Sequence, residues 1–413
     1  MSWILQRAAL RGRAGLWDLN VDTDTLRIAP TQLAASTPPA APPALDAEGG
    51  TWDLAGRLVL PGLVELHTHL DKTFTPSRNP EGTLIGAIEH FNRVAASRTA
   101  DAIEANADRA LRTAVSRGVT RLRSHLNLGN DHDLEMIAIM VDLRQRYADR
   151  LTLQLVGMAG LDGSAKTKQL IEAALQLGID QVGGAPALAE NPAANVAATL
   201  DAAQAHGIPV DLHIDENEDP SSRTLEAFAV GAIERQLTGP LTASHCCSLA
   251  FMAAQERDAI LARVADAGIG VVALPECNLV LMGRSHWPVP RGSAPVKALQ
   301  AAGVPVAAGS DNVQDAFNPF GGYDPLASAS LAAKLNQLTS DSELDAVLDL
   351  VTADAGRLFD GHPGVIEDGA SADLVVLDAY DERTVVADPP PRLATFKSGR
   401  RVYAQSRAEH YSL

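Results

Sequence analysis

The segment Pro61–Lys72, PGLVELHTHLDK, is a short apolar run that ends in two histidines two positions apart. Gly62–His69 reads as a buried strand, because the run is too short for a helix and opens on a Pro-Gly pair. In an extended chain residues i and i+2 face the same side, so His67 and His69 project together. Seven runs of the same kind follow at Thr120–Asn127, Leu151–Met158, Asp180–Gly183, Val210–Ile214, Leu241–Ser244, Gly268–Leu274 and Val304–Ala308. Segments of helical period separate them, such as Ala100–Arg117, Thr167–Leu177, Ala193–His206, Thr224–Gln236, Gln255–Ala267 and Val296–Ala302. Several stop at a glycine (Gly118, Gly178, Gly207, Gly268), the usual helix end before a new strand. Eight strand–helix units in about 300 residues predict an α/β fold, the (β/α)8 TIM barrel. No G-x-G-x-x-G follows the first strand, which argues against a doubly wound dinucleotide-binding sheet.

Both flanks of this pattern are β-rich. Trp3–Leu5, Leu16–Val21, Leu26–Ile28, Thr51–Asp53 and Arg57–Val59 read as short strands, interrupted by the Pro/Ala-rich loop TPPAAPPAL at Thr37–Leu45. Proline at that density fits neither a helix nor a central strand. After Gly361, Ser371–Leu377 reads as a buried strand and Ala394–Ala404 as a hairpin. The expected organisation is residues 1–60 and 361–413 as two parts of one small β-sandwich, with the barrel at 61–360.

Composition excludes several classes. The chain has 413 residues, is 46% hydrophobic and carries a formal charge of −17. That is enough apolar material for a large core, and the charge opposes binding to nucleic acid or to an anionic membrane surface. No run of 18 apolar residues predicts a membrane span. The N-terminal apolar stretch is too short for a secretory signal and reads as a first strand and turn. Three cysteines cannot form a disulfide framework, and the adjacent pair Cys246-Cys247 suits a reducing compartment. The expected location is cytoplasmic.

The chemistry is read from where the histidines and acids fall. His67 and His69 end the first strand, His125 the second, His213 the fifth and His245 the sixth, while Asp311 ends the eighth. In a βα barrel the C-terminal strand ends form the catalytic face. A single histidine there is commonly a hydrogen-bonded core residue, but the joint register favours a metal site. His67, His69, His213 and Asp311 form an N/O donor set for one divalent ion, Zn²⁺ or Fe²⁺, with Mn²⁺ as a further candidate. Such an ion lowers the pKa of a bound water towards about 7. Asp311 is read as both ligand and base. Glu216, three residues past His213, is read as the proton carrier and His245 as the group that stabilises developing charge.

In this order PGLVELHTHLDK, HIDE, TASH and GSDN resemble the amidohydrolase superfamily. VDLHIDENEDPSS, LTASHCC, PECNLVLMGR and GSDNVQDAFNPFG resemble segments of its bacterial cytosine deaminase branch, and the likeness runs over nearly the whole chain. The resemblance implies hydrolytic deamination of a small nitrogen heterocycle at one metal ion. The stretch at the fourth strand end, QVGGAPAL, holds no lysine, so no bridging carbamate and second ion are implied. Three positions depart from the branch. Gly160 stands where it has a pyrimidine-binding glutamine, Phe317 where a tryptophan covers the ring, and Asn312 where a second acid follows the metal aspartate. Loss of that glutamine removes a paired contact and with it selectivity for cytosine.

His125, Gly160, Asn278, Asn312 and Phe317 are therefore the expected substrate contacts. A substituted cytosine, an N-alkylated aminotriazine or a cyclic amide or amidine fits the same chemistry. A catalytically silent scaffold barrel is the rival from another class, opposed by the complete donor set. The expected partner is a small heterocycle, and the subunit number stays open. Cys246 and Cys247 are expected to pack at the barrel mouth, and His206, His362, His132, His90 and His410 to lie on helices or loops. His286 and Arg284 are expected near the seventh-strand loop, Asp71-Lys72 at the pocket rim and Asp315 beside Asn312.

Overall fold

A computed structural model of the chain describes residues 2–22, 25–33, 42–75, 79–160 and 163–406. Most of the Pro/Ala-rich loop and His410 lie outside the described residues. Two eight-stranded sheets organise the molecule. The first runs from both ends of the sequence. It contains β1 (Trp3–Leu10), β2 (Trp17–Val21), β3 (Leu26–Pro30), β4 (Gly50–Asp53) and β5 (Leu58–Pro61) from the N-terminal side. The second sheet is parallel and its strands neighbour one another in sequence order. They are β6 (Leu63–Thr68), β7 (Val119–Leu128), β8 (Thr152–Ala159), β9 (Gln181–Gly184), β10 (Val210–Ile214), β11 (Leu241–His245), β12 (Ile269–Ala273) and β13 (Val306–Ala308). β14 (Leu374–Leu377), β15 (Arg392–Lys397) and β16 (Arg400–Ala404) then return to the first sheet.

The terminal sheet bends at β1. Trp3–Gln6 pairs with β4, whereas Ala9–Leu10 pairs with β5. The two halves enclose one core that includes Trp3, Leu19, Val59, Leu374 and Phe396. The strands of the parallel sheet are β-rich in branched residues, and helices laid between them bury their apolar faces on its outside. Those helices start on side chains that accept from the first free N–H groups: Thr99, Asn130, Ser164 and Asn191 each cap one. Two of them end on Gly178 and Gly207 at φ 115° and 64°, a conformation that costs a residue with a Cβ.

The parallel sheet closes between β13 and β6, and this seam is made differently from the other seven contacts. One bridge joins Thr68 of β6 to Asp311, just past the end of β13. Asp311 donates its backbone N–H to the His67 carbonyl (2.9 Å), and the Thr68 hydroxyl donates to the Asp311 carbonyl (2.8 Å). Below them the buried Glu65 carboxyl accepts from the Ser310 N–H (2.9 Å) and hydroxyl (2.6 Å). Burial pushes this carboxyl up to about 7.

The barrel interior also holds a fully buried ion pair, Arg123 Nη1 to Asp211 Oδ2 at 2.7 Å. Arg123 donates further to Thr242 and to the Leu358 and Phe359 carbonyls at the end of the helix Ala353–Asp360. That helix therefore plugs the barrel floor. Arg123→Met is expected to destabilise the fold by about 3–5 kcal/mol in urea unfolding, because Asp211 is left as a buried charge. A loss below about 1 kcal/mol would show that His125 alone compensates the carboxylate.

Candidate active site

The strand ends place His67, His69, His213 and Asp311 together, with one donor atom of each within 4.8 Å of every other. Asp311 Oδ1 lies 3.2 Å from His69 Nε2 and 3.4 Å from His67 Nε2. His213 Nε2 lies 3.2 Å from His69 Nε2. All four side chains are buried. The backbone turns sharply to aim this set: Asp215, His245 and Asp311 have φ of 47°, 70° and 60°. Non-glycine residues pay roughly 1–3 kcal/mol for such a conformation, which persists where the surroundings hold it. Asp215 is held by the helix Thr224–Glu234, whose Leu225 N–H and Thr224 side chain donate to it.

Hydrogen bonds fix which nitrogens of His67 and His69 carry protons. His69 Nδ1 faces the His125 carbonyl (3.1 Å), which can only accept, so its Nε2 is a bare lone pair. Ser244 Oγ gives its proton to Asp211 (3.1 Å) and so accepts from His67 Nδ1 (2.8 Å), which frees His67 Nε2 in the same way. Burial lowers the pKa of His67, His69 and His213, keeping all three neutral. Burial pushes Asp311 up, but the facing imidazoles, His245 first, hold its carboxyl well below the usual range. His67 Nε2 and both Asp311 oxygens are buried and have no hydrogen-bond partner among the described residues. Neutral imidazole lone pairs converging on an ionised carboxylate repel one another unless a cation lies among them. The donor set thus fits one divalent ion.

Two more groups stand beside this cluster. Asn278 Nδ2 donates to His245 Nδ1 (3.1 Å), so His245 carries its proton on Nε2, which is buried and unpartnered among the described residues. Burial holds His245 down to about 3, although the charge of Asp311 opposes this. Glu216 Oε1 lies 3.4 Å from His245 Nδ1, and Glu216, His245 and Asp311 offer atoms within 4.8 Å of one another. Burial first, and then the Asp311 charge, push Glu216 well above the usual carboxylate range. The two neighbouring carboxyls are thus pushed in opposite directions, the division of labour that acid–base catalysis needs.

A cavity of about 190 Å³ opens over these residues. Leu84, Ile88, Phe91, Met158, Leu188 and Phe317 supply apolar wall, with Asn312 and Lys72 on the rim. Asn312 donates to Asp315 (2.6 Å), which also accepts from the Phe317 and Asn318 N–H groups and so fixes the turn that presents Phe317. Burial pushes Asp315 up to about 6.

The cavity wall does not include His125, Gly160 or Asn278. His125 stacks on His67 (3.8 Å between centroids) with Nε2 3.2 Å from Asp211, below the donor set. Gly160 is exposed just past β8, and from that strand Met158 reaches the wall instead. Asn278, expected on a loop with His286, lies on the helix Pro275–Leu281, whose first-turn proline has φ preset and needs no N–H there. It acts on His245 from behind. His286 is bound to Glu218 (2.8 Å) and Arg284 to the Val280 carbonyl (2.7 Å), both away from the wall. Cys246 and Cys247 are buried and free, as is Cys277.

The family model described as amidohydrolase family matches residues 76–403. The chain belongs to the amidohydrolase family. The matched span begins after His67 and His69, which the geometry joins to it. This amidohydrolase is 32% identical to the pterin deaminase of Rhizobium rhizogenes, over 86% of the chain and 82% of that protein. Its fold superposes on 5-methylcytosine deaminase from Klebsiella pneumoniae with a TM-score of 0.89, at 28% identity and 99% coverage of both chains. The N-isopropylammelide isopropylaminohydrolase of Burkholderia multivorans gives 0.81, at 30% identity and 98% coverage of both. The amidohydrolase family is metal-dependent, in keeping with the donor set, and the protein is a hydrolase of C–N bonds other than peptide bonds. Among the described residues no helix is long and apolar enough to cross a membrane.

Proposed function

We propose that this amidohydrolase is a hydrolytic deaminase of a small aromatic nitrogen heterocycle, with a single Zn²⁺ or Fe²⁺ held by His67, His69, His213 and Asp311. The observation that carries the reading is Glu216, a carboxyl pushed above its usual range beside that donor set, on the wall of an apolar cavity that Phe91 and Phe317 also line. A divalent ion there supplies Lewis acidity and makes water a nucleophile near neutral pH. The protein's own groups do the rest. Phe317 and Phe91 cover the ring faces and exclude bulk water. Glu216 delivers its proton to the ring nitrogen next to the carbon under attack and recovers one from the incoming water. Asp311's free oxygen accepts the remaining proton and passes it to the departing amine. His245 Nε2–H donates to the oxygen that gains charge, in a tautomer fixed by Asn278.

The pterin, methylcytosine and ammelide enzymes among its relatives all fit this scheme, so the leaving group is ammonia or an alkylamine. The test is a panel of cytosine, 5-methylcytosine, isocytosine, creatinine, pterin and N-isopropylammelide, with Zn²⁺, Fe²⁺ or Mn²⁺ supplied. Metal-dependent release of ammonia or amine from at least one ring is expected. Ring-opened products without amine, or no turnover of any ring by metal-loaded protein, would overturn the proposal.

A further inference from the structure

The donor that the cytosine branch places on the ring is missing here, since Gly160 carries no side chain and lies off the wall. Any oxygen on the substrate ring must be met from elsewhere in the cavity. Asn312 gives one of its two amide N–H groups to Asp315, and Asn92 and Asn127 also reach the wall, but these amides are neutral, whereas Lys72 is the cation among the described residues that line it. Lys72 has not been used up. Its side chain is 6% exposed, and its ammonium lies 3.3 and 3.2 Å from the two Asp71 oxygens. Its other near neighbour is His69 Nδ1 at 3.3 Å. That nitrogen donates to the His125 carbonyl and has no lone pair to offer. An ammonium has three N–H groups, and one carboxylate engages two of them. A third is left without an acceptor among the described residues.

The position of this donor is informative. Lys72, Phe91 and Phe317 belong both to the wall of the catalytic cavity and to that of an adjoining cavity of about 270 Å³, which Arg98 also lines. Lys72 therefore stands at the partition between the two. Phe91 is within cation–π range of both cations, with Lys72 Nζ 5.3 Å and Arg98 Cζ 5.2 Å from its centroid. A flat ring placed over the donor set thus meets a buried cation at one edge, and a substituent or second ring at that edge has space to enter the adjoining cavity.

We propose that Lys72 is the recognition donor of this site, and that it selects aminated heterocycles carrying a carbonyl oxygen or carboxylate on the edge facing the partition. This rests on the deaminase reading for the identity of the ring, but binding and turnover test the two separately. Asp71 is then a positioning residue that holds the ammonium in place.

The experiment compares matched ring pairs, cytosine with 4-aminopyrimidine and pterin with 2-aminopteridine, in which the second member lacks the oxygen. Affinity is measured by calorimetry on metal-loaded wild type, on Lys72→Met, and on the double variant Lys72→Met/Asp71→Asn, which leaves no buried carboxylate unpaired. Wild type is expected to prefer the oxygen-bearing member of at least one pair by about tenfold or more, as a charge-assisted hydrogen bond allows. Both variants are expected to erase that preference at unchanged metal content. A preference that survives in either variant, or none in wild type for either pair, overturns the proposal. A purely structural role would weaken both members of a pair equally and also overturns it. If the preference behaves as expected while ammonia is never released, the deaminase reading fails and the recognition role stands.

Discussion

Glu216→Gln is expected to lower kcat by about 10²–10⁴-fold while leaving metal content and folding unchanged. Glutamine keeps the size and the acceptor oxygen of Glu216 but cannot give up or take a proton. Glu216 sits 3.4 Å from His245 and is not one of the four converging donors, so nothing in the variant loosens the ion. The loss should fall on kcat rather than KM, because proton delivery is needed only as the C–N bond changes. Amine release at saturating substrate, set beside elemental analysis of the dialysed protein, reads both halves. Full activity in the variant would move the proton transfer to Asp311 and remove Glu216 from the mechanism. A parallel fall in bound metal would instead make it part of the ion's support.

The second large effect is expected from His213→Ala. His213 contributes one of three imidazoles whose Nε2 atoms crowd within hydrogen-bonding distance of their neighbours. Removing it leaves two imidazoles and one carboxylate, too few to hold a divalent ion against dialysis. Metal content should fall from about one per chain to below about a tenth, and turnover with it. The unfolding midpoint should become insensitive to added Zn²⁺, because an ion that binds only the folded chain stabilises it in proportion to its affinity. Retained stoichiometry in this variant would mean that His125 or His245 completes the set, and the ligand assignment would have to be redrawn.

Much of the fold is visible in the alternation of short apolar runs with glycine-ended helices, and the histidines stand out because they close buried strands. What escapes is the layer beneath them. Glu65 precedes His67 by two residues, Arg123 precedes His125 and Asp211 precedes His213. Each pair shares one strand face, so each charge lies inside the barrel directly under an imidazole. The same i, i+2 rule that joins His67 to His69 reveals them once applied backwards along the strand. Asp211 matters most, since through Ser244 it decides which nitrogen of His67 faces the ion. Other features depend on the meeting of distant segments. No local pattern says that the Asn278 amide will reach His245, or that β8 will present Met158 rather than Gly160 to the cavity. Lys72 is legible as a residue near the rim. Its spare N–H becomes apparent only when the partner of His69 Nδ1 is known.

The contact between β6 and the segment after β13 spans more than 240 positions of sequence and runs through the backbone of His67 and Asp311, two of the four residues offered to the ion. Ring closure and assembly of the reaction centre are thus a single event in the life of the chain. While the polypeptide is still emerging from synthesis, the early histidines have no carboxylate opposite them until the last stave arrives. Premature capture of a stray cation is thereby disfavoured, and occupancy becomes a certificate that the cylinder is complete.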